Sequence, residues 1–209
     1  TLHFNPEILK RYVNFMSNPD EQTAIDQFGK DDKYLGVALM MVTLPGLPMF
    51  AHGQIEGYTE KYGMEYKRAY YNEAPDQNLI HRHEQEIFPL LGKRHLFSQV
   101  ANFELYDFIN NNGRVNENVL AYSNKSGNER ALVCYHNKYE EASGWIKNSV
   151  GRNIASSDNP NLIYPTLAEA LELSNTENVY YTFKDYKTNL EYIRSGKDLC
   201  ERGLHLQLK

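Results

Sequence analysis

Residues 35–44 (LGVALMMVTL) are apolar almost all the way round, and no other stretch constrains the fold as much. The run is about half of the ~20 residues that span a bilayer, so it predicts a buried helix and no membrane segment. Asp31 and Asp32 precede it and suit the first helical turn through the helix dipole. Upstream, residues 10–16 (KRYVNFM) read as a strand, because Tyr, Val and Phe fit a pleated, half-buried surface. Pro19 ends that strand: it has no N–H for a ladder and pushes Asn18 towards extended geometry. Downstream, Pro45-Gly46 marks a turn, residues 47–52 a second short buried strand, and residues 53–57 a loop. Strand, helix and strand in this order predict a parallel βαβ unit with its helix sandwiched in a core.

The remaining chain changes texture. Residues 59–78 are polar and Tyr-rich and read as a surface excursion. Residues 79–91 predict a helix interrupted at Pro89. From residue 102 the pattern turns to strands. Phe103, Leu105 and Phe108 alternate, and residues 119–124 and 129–136 flank a predicted four-residue hairpin loop, Lys125-Ser-Gly-Asn128. Thr166-Leu-Ala-Glu169 has capping-box spacing and predicts a short helix. Residues 179–186 and 190–194 suggest another hairpin, and residues 198–202 one helical turn closed by Gly203. The division expected is 1–101, an α/β part, and 102–209, an all-β part.

The chain has 209 residues and a net charge of −5, with 41% hydrophobic and 23% charged residues. That supports a packed core and no disorder. No basic stripe offers phosphate neutralisation, so nucleic acid is not an expected partner. Cys134 and Cys200 lie far apart without disulfide or zinc spacing and read as packed thiols. There is no visible signal peptide, although the chain begins without an initiator Met and closes on a strand-like alternation (LHLQLK). The expectation is a piece of a longer protein. The compartment stays open, with the cytoplasm the working expectation.

Adjacent carboxylates such as Asp20 and Glu21 usually mark a solvated loop end. Here they follow the C-terminal end of a predicted parallel strand, the edge where α/β barrels place active sites. The next strand also ends in polar groups, His52 and Gln54. Gln54 either lines a pocket or makes a strand-end hydrogen bond. Tyr58, Tyr62, Tyr66, Tyr70 and Tyr71 offer rings for sugar stacking, or form a Tyr-rich surface helix that keeps wet hydroxyls. His81 and His83 are spaced i, i+2 and diverge on a helix, so no metal site is expected. Asn124-Lys-Ser126 is a formal glycosylation sequon at a hairpin tip, read as chance.

FMSNPDEQTAIDQFG, a buried helix, and then TLPGLPMFAHGQIEGYTEKYG together resemble the last part of an α-amylase-family barrel. Gly46-Leu-Pro-Met-Phe-Ala-His-Gly-Gln54 is similar to the family's Gly-Ile-Pro strand ending in Gly-Gln or Gly-Glu. The later strands VLAYSN and ALVCYHN resemble the hairpin of the family's C-terminal β-sandwich. The resemblance covers most of residues 10–137. It implies the end of a TIM-type (β/α)8 barrel followed by a β-sandwich-like domain. It also implies a retaining hydrolase or glucanotransferase acting on an α-glucan or oligosaccharide. The sequence itself holds no phosphate loop and no Cys/His cluster, so no cofactor or metal is expected.

On this resemblance Asp20 matches the transition-state-stabilising carboxylate, with Asn18, Glu21 and Gln54 the groups expected to meet substrate. Cleavage passes through an oxocarbenium-like state, so a fixed carboxylate opposes its developing charge. The nucleophile and acid come from earlier strands in the family. The missing N-terminal part of the barrel is therefore the expected partner, and the chain alone is expected to be inactive. Pro19 stands where the family usually has His. That removes a hydrogen-bond donor to the sugar and points away from ordinary starch hydrolysis, towards a transferase or specialised enzyme. The rival expectation is a non-catalytic barrel that binds carbohydrate or serves as a scaffold.

Overall fold

The computed structural model describes residues 1–155 and 159–209. The chain forms two compact units, Lys10–Ser98 and Thr1–Leu9 with Gln99–Lys209.

In the first unit, β1 (Val13–Phe15) and β2 (Leu47–Met49) pair in parallel, Val13 opposite Leu47 and Phe15 opposite Met49. Both strands are shorter than their apolar runs: the chain before β1 is a 3-10 turn (Pro6–Arg11), and after β2 it turns at once. Between them come α1 (Ala24–Phe28) and α2 (Asp32–Thr43). The Thr23 hydroxyl caps α1 by accepting from Asp26 N (3.2 Å), and Gly29 closes it.

Tyr34, Leu35, Ala38, Met41 and Val42 form the buried stripe of α2 at helical spacing. The opposite side, Val37, Leu39 and Met40, is half-buried, so the helix is covered on one face and not sandwiched as its composition suggested.

α3 (Gln77–Arg82), a π-turn (His83–Ile87) and α4 (Phe88–Leu91) follow as one continuous rod. Pro89 does not break it. A regular helix would drive the proline ring against a carbonyl four residues back. The wide turn, in which Phe88 N–H reaches the His83 carbonyl, makes room.

α5 (Arg94–Phe97) completes the unit. Arg94 donates to the carbonyls of Val42 (2.6 Å), Leu44 (3.1 Å) and Gly46 (2.5 Å). One guanidinium thus satisfies the carbonyl end of α2 and the turn into β2, where a cation is also favoured by the dipole.

The second unit is built on five antiparallel strands, β3 (Glu104–Asn110), β4 (Val119–Ser126), β5 (Glu129–His136), β6 (Ala142–Ser149) and the last strand (Leu204–Leu208). β7 (Arg152–Asn153) and β8 (Leu162–Ile163) form a small pair. α6 (Leu167–Ala170), the hairpin β9 (Tyr180–Lys184) and β10 (Glu191–Ser195), and α7 (Gly196–Arg202) follow, and the last strand is β11. The main sheet runs β11-β6-β3-β4-β5. Its core holds Tyr106, Phe108, Val119, Ile146 and Leu204, closed by Leu167, Leu171 and Leu199, with Tyr181 and Phe183 packed against it. The layer facing the sheet is therefore two short helices and a hairpin.

The β4–β5 pairing continues to Ser126 opposite Glu129, so the predicted four-residue loop is a two-residue one, Gly127-Asn128. The Thr166–Glu169 capping box forms with both reciprocal bonds. The first nine residues carry no sequence sign of belonging here, yet hydrogen bonds attach them. His3 Nε2 donates to Val150 O (2.8 Å), Asn153 N to Leu2 O (2.8 Å), and Asn153 Nδ2 to Phe4 O (2.8 Å).

Replacing Arg94 by Ala leaves three carbonyls without their charged donor. We expect a loss of about 2–4 kcal/mol, read as a lower denaturant midpoint, with Arg94→Lys intermediate.

Candidate functional site

β1 runs into the buried residues Met16 and Ser17 before the chain opens at Asn18. The Asn18 Oδ1 atom accepts from the N–H groups of Asp20 (2.8 Å) and Glu21 (2.9 Å). This is an Asx turn, and Pro19 fixes φ within it. Asp20 and Glu21 are thus carried on a defined turn.

After β2 the chain folds through Gly53 and Gly57, both at positive φ (+74° and +76°), which glycine adopts without strain. A Cβ on Gly53 would lie 2.9 Å from the Tyr58 ring. Between the glycines, Gln54 turns inward. Its Oε1 accepts from Ala51 N (3.2 Å) and its Nε2 donates to Met16 Sδ (3.4 Å), so its carboxamide ties the β2 loop to the end of β1.

The two loops enclose a cavity of about 180 Å³ whose lining includes Asn18, Glu21, His52, Gln54, Glu60 and Tyr62. Three of the four residues singled out from the sequence, Asn18, Glu21 and Gln54, meet there. Asp20 does not line the cavity. It is exposed beside it, and its backbone carbonyl accepts from Lys61 Nζ (2.8 Å). Gln54 makes the strand-end hydrogen bond and also belongs to the cavity lining.

Sequence reasoning missed Glu60 and Glu73. Glu60 is buried, and its carboxylate accepts from Tyr70 N (2.8 Å) and Tyr71 N (2.9 Å). Glu73 accepts from Thr59 N (2.8 Å), the Thr59 hydroxyl (2.8 Å) and Glu60 N (2.9 Å). Partial desolvation would raise Glu73, but these donors outweigh it and hold its pKa below the usual carboxylate range. With backbone amides bound to carboxylates, residues 58–76 form an irregular loop and not the surface helix their tyrosines allowed.

Behind the site, the Tyr34 hydroxyl donates to the Gln54 carbonyl (2.9 Å) and lies 2.9 Å from His83 Nε2. Tyr34 has one proton, so His83 Nε2–H is assigned as the second donor. His83 is fully buried, and desolvation pulls its pKa down to about 4. Its Nδ1 has no partner among the described residues. His81 is exposed and does not join it, in keeping with i, i+2 spacing.

No group of three His, Cys, Asp or Glu side chains suited to a metal occurs among the described residues, and no described helix is long and apolar enough to cross a membrane. The sequon residue Asn124 is buried and its Nδ2 donates to Gln99 O (2.8 Å), so its amide is engaged. Both cysteines are free thiols, and burial pushes Cys134 up to about 12.

Asn18→Ala should cost about 1 kcal/mol and speed amide exchange at residues 20 and 21. His83 is depressed on folding, so the unfolded chain binds the extra proton between pH 6.5 and about 4. Stability should therefore fall as pH drops through that window and level off below it. His83→Gln should flatten that dependence in urea titrations across pH.

No family model matches the chain, and no curated protein does. Among solved structures it is similar to a noncanonic maltogenic α-amylase from Thermotoga neapolitana: TM-score 0.50, 14% identity, over 88% of this chain and 36% of that one. It is also similar to a debranching enzyme from Nostoc punctiforme: TM-score 0.50, 16% identity, over 78% of this chain and 35% of that one. The chain thus spans about a third of the length of these enzymes and shares a fold with that part of them.

Proposed function

We propose that the chain is part of a retaining α-glucan-active enzyme of the α-amylase family, contributing the end of its barrel and a following β-domain. The observation that carries this reading is the cavity. Loops after two parallel strands meet at the C-terminal strand ends with adjacent carboxylates at its mouth, where α/β barrels bind substrate. The motif resemblance over residues 12–57 and the fold likeness to a maltogenic α-amylase and a debranching enzyme support it.

The open sheet also supports a larger barrel. Among the described residues β1 and β2 pair only with each other, and Val13, Phe15 and Leu47 are exposed. Parallel strands are otherwise found covered on both faces. Further strands from the same protein would pair with these edges and bring the nucleophile and acid.

In this mechanism Asp20 supplies fixed negative charge near the anomeric carbon as positive charge develops there. Glu21, facing the cavity, and Asn18 hold sugar hydroxyls. Pro19 leaves that subsite without a histidine donor, which suits a transferase or specialised enzyme over a starch hydrolase.

A second reading has one observation in its favour. Asp20 stands beside the cavity and not in its lining, as expected if the site binds sugar without cleaving it. The two readings part on the coding sequence upstream of Thr1. A Gly-x-Arg-x-Asp stretch after one predicted strand and a Glu ending the next supports the enzyme; loss of either carboxylate supports the binding protein.

In the full-length protein Asp20→Asn should lower kcat by about a hundredfold or more at little change in KM, about 1.4 kcal/mol of barrier per tenfold. An unchanged rate removes Asp20 from the chemistry. The 209-residue chain alone should show no turnover of maltooligosaccharides.

A further inference from the structure

We propose that Asn112 is a site of spontaneous deamidation in the folded chain, where its side chain cyclises onto the backbone of Gly113 and opens to aspartate and isoaspartate. The site lies in the turn between β3 and β4 and is independent of the cavity in the first unit.

The sequence supplies the reacting pair. Asn112-Gly113 is the chain's one Asn-Gly step. Cyclisation needs the amide nitrogen after the asparagine to reach the carboxamide carbon, and a Cβ on the following residue crowds that approach. Glycine has none, and its free φ lets the backbone turn towards the side chain.

The structure separates Asn112 from its neighbours. Residues 111–115 are exposed. Gly113 N–H donates to the Asn110 carbonyl (2.8 Å) and closes a β-turn over residues 110–113. Gly113 stands at φ +79° with open space where a Cβ would be. Its turn bond is at the surface, where water takes its place at small net cost. Asn112 Oδ1 accepts from Arg114 N (3.1 Å), which draws electron density from the carboxamide and makes its carbon a better electrophile. The departing Nδ2 has no partner among the described residues. By contrast, Asn111 Nδ2 donates to Ser143 Oγ (3.2 Å), and Asn110 Oδ1 accepts from Asn116 Nδ2 (3.4 Å). Each of those two is followed by a residue with a side chain. Asn148 precedes the small Ser149, but Ser149 is buried and its amide donates to Pro165 O (3.0 Å).

The step balances with water as the only co-reactant. Gly113 N gives its proton to hydroxide and bonds to Asn112 Cγ. The Cγ–Nδ2 bond breaks, and that nitrogen takes a proton from water and leaves as ammonia. Water then adds to one of the two carbonyls of the succinimide. Breaking the bond from Cγ to the Gly113 nitrogen gives aspartate. Breaking the bond from the backbone carbonyl carbon to that nitrogen gives isoaspartate, with the main chain running through the former side chain.

Either product adds one negative charge to the net −5. Isoaspartate also lengthens the turn by a methylene, beside the Ile109–Val115 bridge and the bond from Asn116 N to Phe108 O (2.8 Å). β3 is the middle strand of the main sheet, so an irreversible change accumulates with the age of the chain at the end of its central strand.

The test is incubation of the folded 209-residue chain at mildly alkaline pH in water labelled with heavy oxygen. Proteolysis and mass spectrometry with electron-transfer fragmentation then separate isoaspartate from aspartate, and the label excludes conversion during the digest. We expect residue 112 to convert about tenfold faster or more than any other asparagine, with isoaspartate among the products. The rate should rise with pH, because the attacking nitrogen must lose its proton. Asn112→Gln, whose longer side chain would have to close a larger ring, should remove the acidic species seen on anion exchange. The position is exposed, so circular dichroism should show the fold kept.

Conversion in urea without conversion in the folded chain shows that the turn bond protects Gly113 N, and overturns the proposal. Conversion of Asn111 or Asn148 at the rate of Asn112 overturns it as well.

Discussion

The Tyr34 hydroxyl is the point on which the first unit turns. It sits on the buried face of α2, donates to the Gln54 carbonyl and accepts from the His83 Nε2–H. One buried group thereby links the helix of the βαβ unit, the rod that follows, and the loop that lines the cavity. Burial raises the Tyr34 pKa and lowers that of His83, so both stay neutral at physiological pH. A neutral pair avoids placing a charge inside the core while still fixing three elements. Phe50 and Phe88 pack their rings on His83.

From this anchor the site is assembled by carboxamides and carboxylates acting on backbone amides. Asn18 shapes the loop after β1, Gln54 joins the two loops, and Glu60 and Glu73 hold the long loop beyond. None of these loops has a ladder of its own. Their rigidity comes from side chains that replace it, which is how irregular chain can present defined groups beside a cavity. The same device places Glu21 in the lining and Asp20 beside it, although the two are neighbours in sequence.

Much of the fold was legible. The strand–helix–strand order, the capping box at Thr166, the hairpin of β9 and β10, and the last strand all follow from local rules: periodicity, caps and turn residues. The failures also have physical reasons. The strands β1 and β2 are short because pairing needs a partner, and apolar composition cannot state where the partner ends. Pro89 sits within a rod because a π-turn removes the clash that the rule assumes. The tyrosines do not form a helix because two glutamates, thirteen positions apart in the chain, bind the amides that a helix would need.

The sequence by itself determined that Asp20 and Glu21 follow directly on a strand, because Asn18-Pro19 ends it by local geometry. It also determined that residues 32–43 form a helix with an apolar stripe to bury, although only one face of α2 is fully covered. Tertiary structure decided which of those groups share a cavity. Asn18, Glu21 and Gln54 meet because the parallel pairing of β1 with β2 sets their loops side by side. Tertiary structure also decided that Glu60 presents Tyr70 and Tyr71. Contacts across ten residues of irregular chain follow no period, so no spacing in the sequence announces them.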